Sequence, residues 1–177
     1  MRLFVAVEVP DEVKKRMGEL EKELPENGLK KVESKKMHIT LKFLGEVNEG
    51  KLEEIKKALG KIEFLPFKVG VKGVGVFPNE KYVKVVWAGT GGEGLEELAE
   101  KVELALAPMF PKEARGFSGH LTLARVKRKI EIKEFLEKHR GEEFGEFLVR
   151  RFILMKSVLG RGGAEYSVIG EFPAKST

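Results

Sequence analysis

A chain of 177 residues has the length of one compact domain and can bury a substantial core. Apolar residues make up 42% of it and charged residues 34%, with a net charge of +5, a balance that excludes disordered and fibrous classes. The absence of cysteine excludes disulfide scaffolds, thiolate zinc sites and cysteine nucleophiles together.

The Lys- and Glu-rich, cysteine-free composition is the kind found in hyperthermophile proteins. The modest positive charge admits a polyanionic partner without requiring one. No run approaches the roughly 18 apolar residues of a membrane span, and the N-terminus enters an amphipathic pattern with no cleavage signal. A cytoplasmic, monomeric protein without a membrane partner is expected.

Residues 2–9 (RLFVAVEV) read as a buried strand. Pro10 and Asp11 open an amphipathic helix with Val13, Met17, Leu20 and Leu24 on one face, and Pro25 to Gly28 break it. A strand follows at 37–44 (MHITLKFL), then a helix capped by Asn48 that carries Leu52, Ile55 and Leu59. Residues 67–76 and 82–88 flank Pro78-Asn79-Glu80-Lys81 as a hairpin.

A third helix at 94–107 presents Leu95, Leu98, Val102 and Leu106 and ends before Pro108 and Pro111. A strand at 119–126 (GHLTLARV), a short helix near 131–139 and closing strands at 146–158 and 165–172 complete the chain. No linker or low-complexity segment divides it, so residues 1–177 are expected to form a single domain. The element order predicts an α+β fold with mostly antiparallel sheet.

Only three histidines and four threonines are present, yet two of the histidines have threonine two residues later, each between apolar residues. They are His38-Ile39-Thr40-Leu41 and His120-Leu121-Thr122-Leu123. Residues i and i+2 of a strand share a face. Each motif therefore projects an imidazole beside a hydroxyl and packs its apolar residues behind. The histidines lie 82 positions apart, about half the chain, and two pseudo-equivalent lobes would bring the motifs together.

That arrangement suits transfer at a phosphodiester. In-line displacement needs attacking and leaving oxygens on opposite sides of phosphorus. One imidazole can take a proton while the other gives one, because both protonation states are accessible near neutrality. The hydroxyls of Thr40 and Thr122 can donate to the non-bridging oxygens. The competing reading makes each histidine an ordinary half-buried strand residue and each threonine a β-former. Repetition in matching contexts argues against it.

Met37-His-Ile-Thr-Leu-Lys-Phe-Leu-Gly-Glu-Val47 and Gly119-His-Leu-Thr-Leu-Ala-Arg125 resemble the paired signatures of the RNA 2′,3′-cyclic phosphodiesterases, also called 2′-5′ RNA ligases. These belong to the two-histidine phosphoesterase superfamily. The opening RLFVAVEVP, the segment GVGVFPN, VVWAG and the closing YSVIGEF extend the likeness over nearly the whole chain. Gly119 departs from it, since the family often has proline there.

The resemblance implies a bilobal fold with two mostly antiparallel sheets facing a central cleft and helices outside. It implies hydrolysis of RNA 2′,3′-cyclic phosphate ends, tRNA-like fragments among them, to 2′-phosphates without metal or cofactor. The reverse reaction is 2′-5′ ligation. By the same resemblance His38 is the proton donor and His120 the acceptor; the residues alone leave that division open.

Weaker signals surround the motifs. Arg125, three residues after Thr122, falls on the opposite face of a regular strand; it reads equally as a phosphate contact or a solvated charge. Phe43 could stack on a base, although its place in the strand favours the core. Lys127, Arg128, Lys129, Arg150, Arg151, Lys156 and Arg161 form a basic bias that could track an RNA backbone.

Gly89-Thr-Gly-Gly-Glu-Gly94 matches a dinucleotide-binding pattern in letters only, because the preceding strand reads as half of an antiparallel hairpin. Lys72-Gly-Val-Gly-Val-Phe77 lacks the aromatics of an RNA-recognition module and reads as strand. His139, near a helix end, reads as a partner of the helix dipole. Two alternatives stand beside the lead. One is an RNA-binding module without turnover, and the other is the same chemistry on a small cyclic nucleotide.

Overall fold

In the computed structural model, which describes residues 1–176, two antiparallel sheets share one apolar interior. The strands are β1 (Arg2–Glu8), β2 (Leu29–Lys31), β3 (His38–Glu46), β4 (Phe67–Asn79), β5 (Tyr82–Gly91), β6 (His120–Val126), β7 (Glu143–Val149), β8 (Arg151–Gly160) and β9 (Gly163–Pro173). The helices are α1 (Asp11–Glu21), α2 (Leu52–Gly60), α3 (Glu93–Leu106) and α4 (Lys133–Lys138). The first sheet has the order β3-β1-β8-β9 and the second β2-β6-β5-β4-β7.

Local chemistry explains most boundaries. Pro10 precedes α1, and its carbonyl accepts from the amides of Val13 and Lys14. Asn48 accepts from the Gly50 amide at 2.8 Å and starts a 3-10 turn that leads into α2. The Asn79 side chain accepts from the amides of Lys81 and Tyr82, fixing the β4–β5 turn.

The expected closing strand at 146–158 is two strands in different sheets. The chain leaves the second sheet after Val149 and enters the first at Arg151. Arg150, exposed between them, marks the crossing. The three-residue β2 was too short to leave a periodic signature.

Each His-x-Thr strand is the antiparallel neighbour of the strand one helix earlier: β1-α1-β3 in one sheet, β5-α3-β6 in the other. α1 packs against β6 and β7, whereas α3 packs against β3 and β4. Leu3, Val5, Val7, Ile39 and Leu41 of the first sheet and Val86, Ala88, Leu121 and Leu123 of the second belong to one buried cluster.

The opposite face of the first sheet carries its own buried group of Phe4, Ala6, Ile153 and Met155. A strand buried on both faces reads as an unbroken apolar run, which is how RLFVAVE looks. Arg151, one of the basic residues in the C-terminal bias, is engaged by Glu8 at 2.6 Å and Glu171 at 2.8 Å.

Candidate active site

His38 and His120 each open their strand, and each is held the same way. His38 Nδ1 lies 2.9 Å from the Lys36 carbonyl, and His120 Nδ1 lies 2.9 Å from the Ser118 carbonyl. A carbonyl only accepts, so both Nδ1 atoms carry the proton and donate it. That fixes the tautomer and leaves both Nε2 atoms for substrate.

Thr40 and Thr122 are half-buried, two residues along from each histidine, while Ile39, Leu41, Leu121 and Leu123 are buried behind them. The Cα traces of β3 and β6 approach within 8 Å.

The residues beyond each threonine do not continue the alternation. In the β1–β3 pairing Ala6 stands opposite Thr40 and Val5 opposite Lys42, so Leu41 is an extra residue. In the β5–β6 pairing Trp87 stands opposite Thr122 and Val86 opposite Ala124, so Leu123 is extra. A bulge at the same position after each His-x-Thr flips the parity.

Lys42 and Ala124 thereby turn to the core, whereas Phe43 and Arg125 join the faces of His38 and His120. Phe43, expected in the core, is 66% exposed and 6.1 Å from the Phe4 ring. Arg125, expected opposite His120, is exposed on the same side. The two lobes thus present an aromatic ring and a cation at equivalent positions.

Sequence reasoning missed the aromatic surroundings. Phe4 stacks on the His38 ring at 4.7 Å and 25°, and Tyr166 from β9 meets it edge-on at 5.2 Å and 87°. Phe77 meets His120 edge-on at 5.1 Å, and Trp87 lies across Gly75, where a Cβ would collide with the indole. Burial holds His38 below the usual histidine pKa; donation to Lys36 opposes this and the nearby Lys14 charge adds to it.

Gly119 has a local reason: a Cβ there would stand 2.6 Å from the Thr90 hydroxyl.

The other motifs separate from the site. Gly92 has φ 141° and precedes α3, but β5 and β6 are antiparallel, so the glycine run is a strand-to-helix turn rather than a dinucleotide fingerprint. His139 follows α4 and is buried between Glu23, 3.2 Å from its Nε2, and Glu142, 3.3 Å from its Nδ1. Among the described residues no group of three or more His, Cys, Asp or Glu side chains could hold a metal ion, and no helix is long and apolar enough to cross a membrane.

Comparison with known proteins agrees with this geometry. Residues 3–87 match the family model described as LigT like Phosphoesterase. An RNA 2′,3′-cyclic phosphodiesterase of Archaeoglobus fulgidus is 43% identical over 97% of this chain and 99% of its own. One of Methanocaldococcus jannaschii is 37% identical over 97% of this chain and 100% of its own.

Among solved structures, a Thermus thermophilus protein superposes with a TM-score of 0.83 at 34% identity, covering 98% of this chain and 97% of that one. Escherichia coli LigT complexed with 3′-AMP superposes with a TM-score of 0.84 at 26% identity, covering 99% and 98%. With its duplicated, bulged His-x-Thr strands and full-length likeness to these proteins, the chain belongs to the LigT-like phosphoesterase family of RNA 2′,3′-cyclic phosphodiesterases.

Proposed function

We propose that this protein hydrolyses RNA 2′,3′-cyclic phosphate ends to 2′-phosphates, with His38 and His120 as the acid–base pair. The observation that carries the reading is the twin anchoring of the two Nδ1 atoms, which leaves two equivalent Nε2 atoms for proton transfer. Family membership supports the cyclic phosphate as substrate.

Water attacks phosphorus as His120 Nε2 takes its proton. The bond from phosphorus to the 3′-oxygen breaks, and His38 Nε2 gives that oxygen a proton. The hydroxyls of Thr40 and Thr122 donate to the non-bridging oxygens as charge builds there. Arg125 supplies a cation to the RNA backbone, and Phe43 a ring on which a base can stack.

With a 5′-hydroxyl in place of the attacking water, the same displacement at phosphorus breaks the bond to the 3′-oxygen and joins two RNA ends by a 2′-5′ linkage, the reverse of cleaving such a linkage. Residues 1–177 act as one domain of two pseudo-equivalent lobes, as a cytoplasmic monomer, on fragments such as those of tRNA, without metal or cofactor.

The test is incubation with a cyclic-phosphate-ended oligonucleotide, with and without a 5′-hydroxyl partner, followed by mapping of the product linkage. His38→Ala and His120→Ala are each expected to lower the rate by roughly 10²–10⁴-fold, with RNA still bound and wild-type activity unchanged by a chelator. Full activity in both variants would overturn the two-histidine reading. Preference for a small cyclic nucleotide over the oligonucleotide would change the substrate.

A further inference from the structure

We propose that Tyr166 is a positioning residue which, with Phe4, encloses His38 in an aromatic box and so makes the two catalytic histidines chemically unequal. The proposal rests on the acid–base reading above and adds what breaks its symmetry.

By backbone criteria the two histidines are twins, with the same position before a bulge, the same bond to the carbonyl two residues earlier and the same neighbouring threonine. Their walls differ. Phe4 covers one face of His38 and Tyr166 closes on it edge-on, while Tyr166 also braces Phe4 at 5.3 Å and 80°. His120 has the edge-on contact with Phe77 and no stacked ring among the described residues.

Lys36 builds the box from both sides. Its carbonyl accepts from His38 Nδ1, and its ammonium donates to the Ala164 carbonyl at 2.9 Å and to Glu165 at 3.3 Å. One residue therefore holds both the imidazole and the stretch of β9 that delivers Tyr166.

Two rings against an imidazole remove the water that would solvate its cation, and a stacked phenyl face returns part of that loss. The charged groups around it do not compensate. Lys14 on α1 adds a repelling charge, Lys36 is committed to Glu165 and Glu33, and Glu8, opposite His38 on β1, is committed to Arg151. In the free protein the box therefore favours neutral His38, in agreement with the direction its burial gives. An anionic phosphate beside Nε2 supplies the missing counter-charge, so His38 takes up its proton together with the substrate.

The chain has only three histidines, so their ring protons can be followed individually by NMR titration. In wild-type protein His38 is expected to titrate below its free value of about 6.5. Tyr166→Ala opens the box, and His38 then moves up toward that value. Tyr166→Phe keeps the ring and leaves the His38 titration unchanged. Lys36→Ala, which frees the segment without touching a ring, moves His38 in the same direction as Tyr166→Ala.

Adding a nucleoside 2′-phosphate to wild-type protein raises the His38 titration and takes up protons from a weak buffer. The pH dependence of kcat/KM in Tyr166→Ala shifts in parallel. An unmoved His38 in Tyr166→Ala that is folded by its melting curve would overturn the proposal. The titration needs no turnover, so its failure is distinguishable from inactivity of the histidine pair.

Discussion

The ammonium of Lys42 lies 2.8 Å from a carboxylate oxygen of Glu103, and this ion pair ties the strand of one His-x-Thr motif to the helix that leads into the other. Lys42 is 3% exposed and also donates to the Pro111 carbonyl at 3.1 Å. The bulge at Leu41 sends it inward, and the same bulge puts Phe43 on the face of His38. Removing one partner of such a buried pair leaves a charge without its counter-ion, at a typical cost of about 3–5 kcal/mol.

Glu103→Ala is therefore expected to lower the unfolding free energy by about that amount. The double variant Lys42→Met/Glu103→Leu, which removes both charges, recovers most of the loss. Urea unfolding of wild type, Lys42→Met, Glu103→Leu and the double variant measures the coupling, and strictly additive losses would refute it.

A second stability effect comes from Glu21, which is 6% exposed at the end of α1. Burial raises its pKa to about 7, and the charge of Lys31 opposes the rise only in part. The folded protein therefore holds a proton that the unfolded chain, with a value near 4.5, has released. Stability from this group is present below about pH 4.5 and is lost as pH rises through about 7. Glu21→Gln keeps the neutral form at every pH, so its melting temperature is expected to gain on wild type as pH rises from about 4.5 to about 7 and to hold that gain above it. A constant difference between the two melting curves would contradict the assignment.

The histidine roles can be separated by pH. With His120 removed, the residual hydrolysis depends on protonated His38, so the rate falls as pH rises through the lowered His38 value. With His38 removed, the residual rate depends on neutral His120 and falls toward acid. Rate profiles of the two alanine variants check this, and reversed slopes would exchange the donor and the acceptor.

Phe43 and Arg125 occupy matching positions but supply different binding energy. Phe43→Ala is expected to raise KM by roughly 5- to 150-fold, the equivalent of about 1–3 kcal/mol of base stacking, with kcat changed little. Arg125→Ala also raises KM, and it flattens the salt dependence of binding, which Phe43→Ala leaves alone. Binding measured across a salt series distinguishes the two.

Much of this was legible in the sequence, for reasons particular residues make plain. His38-x-Thr40 and His120-x-Thr122 were readable because a strand alternates strictly, and both stretches keep alternation as far as Leu41 and Leu123. Phe43 and Arg125 were misplaced because an extra residue in a strand leaves no mark in composition; it shows only against the partner strand. The split at Arg150 was invisible for a related reason. β7 and β8 are separated by Arg150 alone, and nothing in the run Phe147-Leu148-Val149-Arg150-Arg151-Phe152 says that its two parts pair with different sheets. The box around His38 joins residues 4, 38 and 166, a juxtaposition that only the assembled sheet creates.

The crossing at Arg150 also sets the order in which the protein can be finished during synthesis. β1 is the second strand of its sheet, between β3 and β8, and β8 begins at residue 151. Four neighbouring strands of the second sheet, β2, β6, β5 and β4, are all made by residue 126. The first strand to leave the ribosome, however, has one hydrogen-bonding edge open until nearly the whole chain has emerged. That edge belongs to Leu3-Phe4-Val5-Ala6-Val7, an uncharged β-forming run of the kind that pairs readily with strangers. The nascent chain is most exposed to misassembly in the interval between making β3 and making β8, and Arg2 and Glu8 stand as the charged guards at either end of the run.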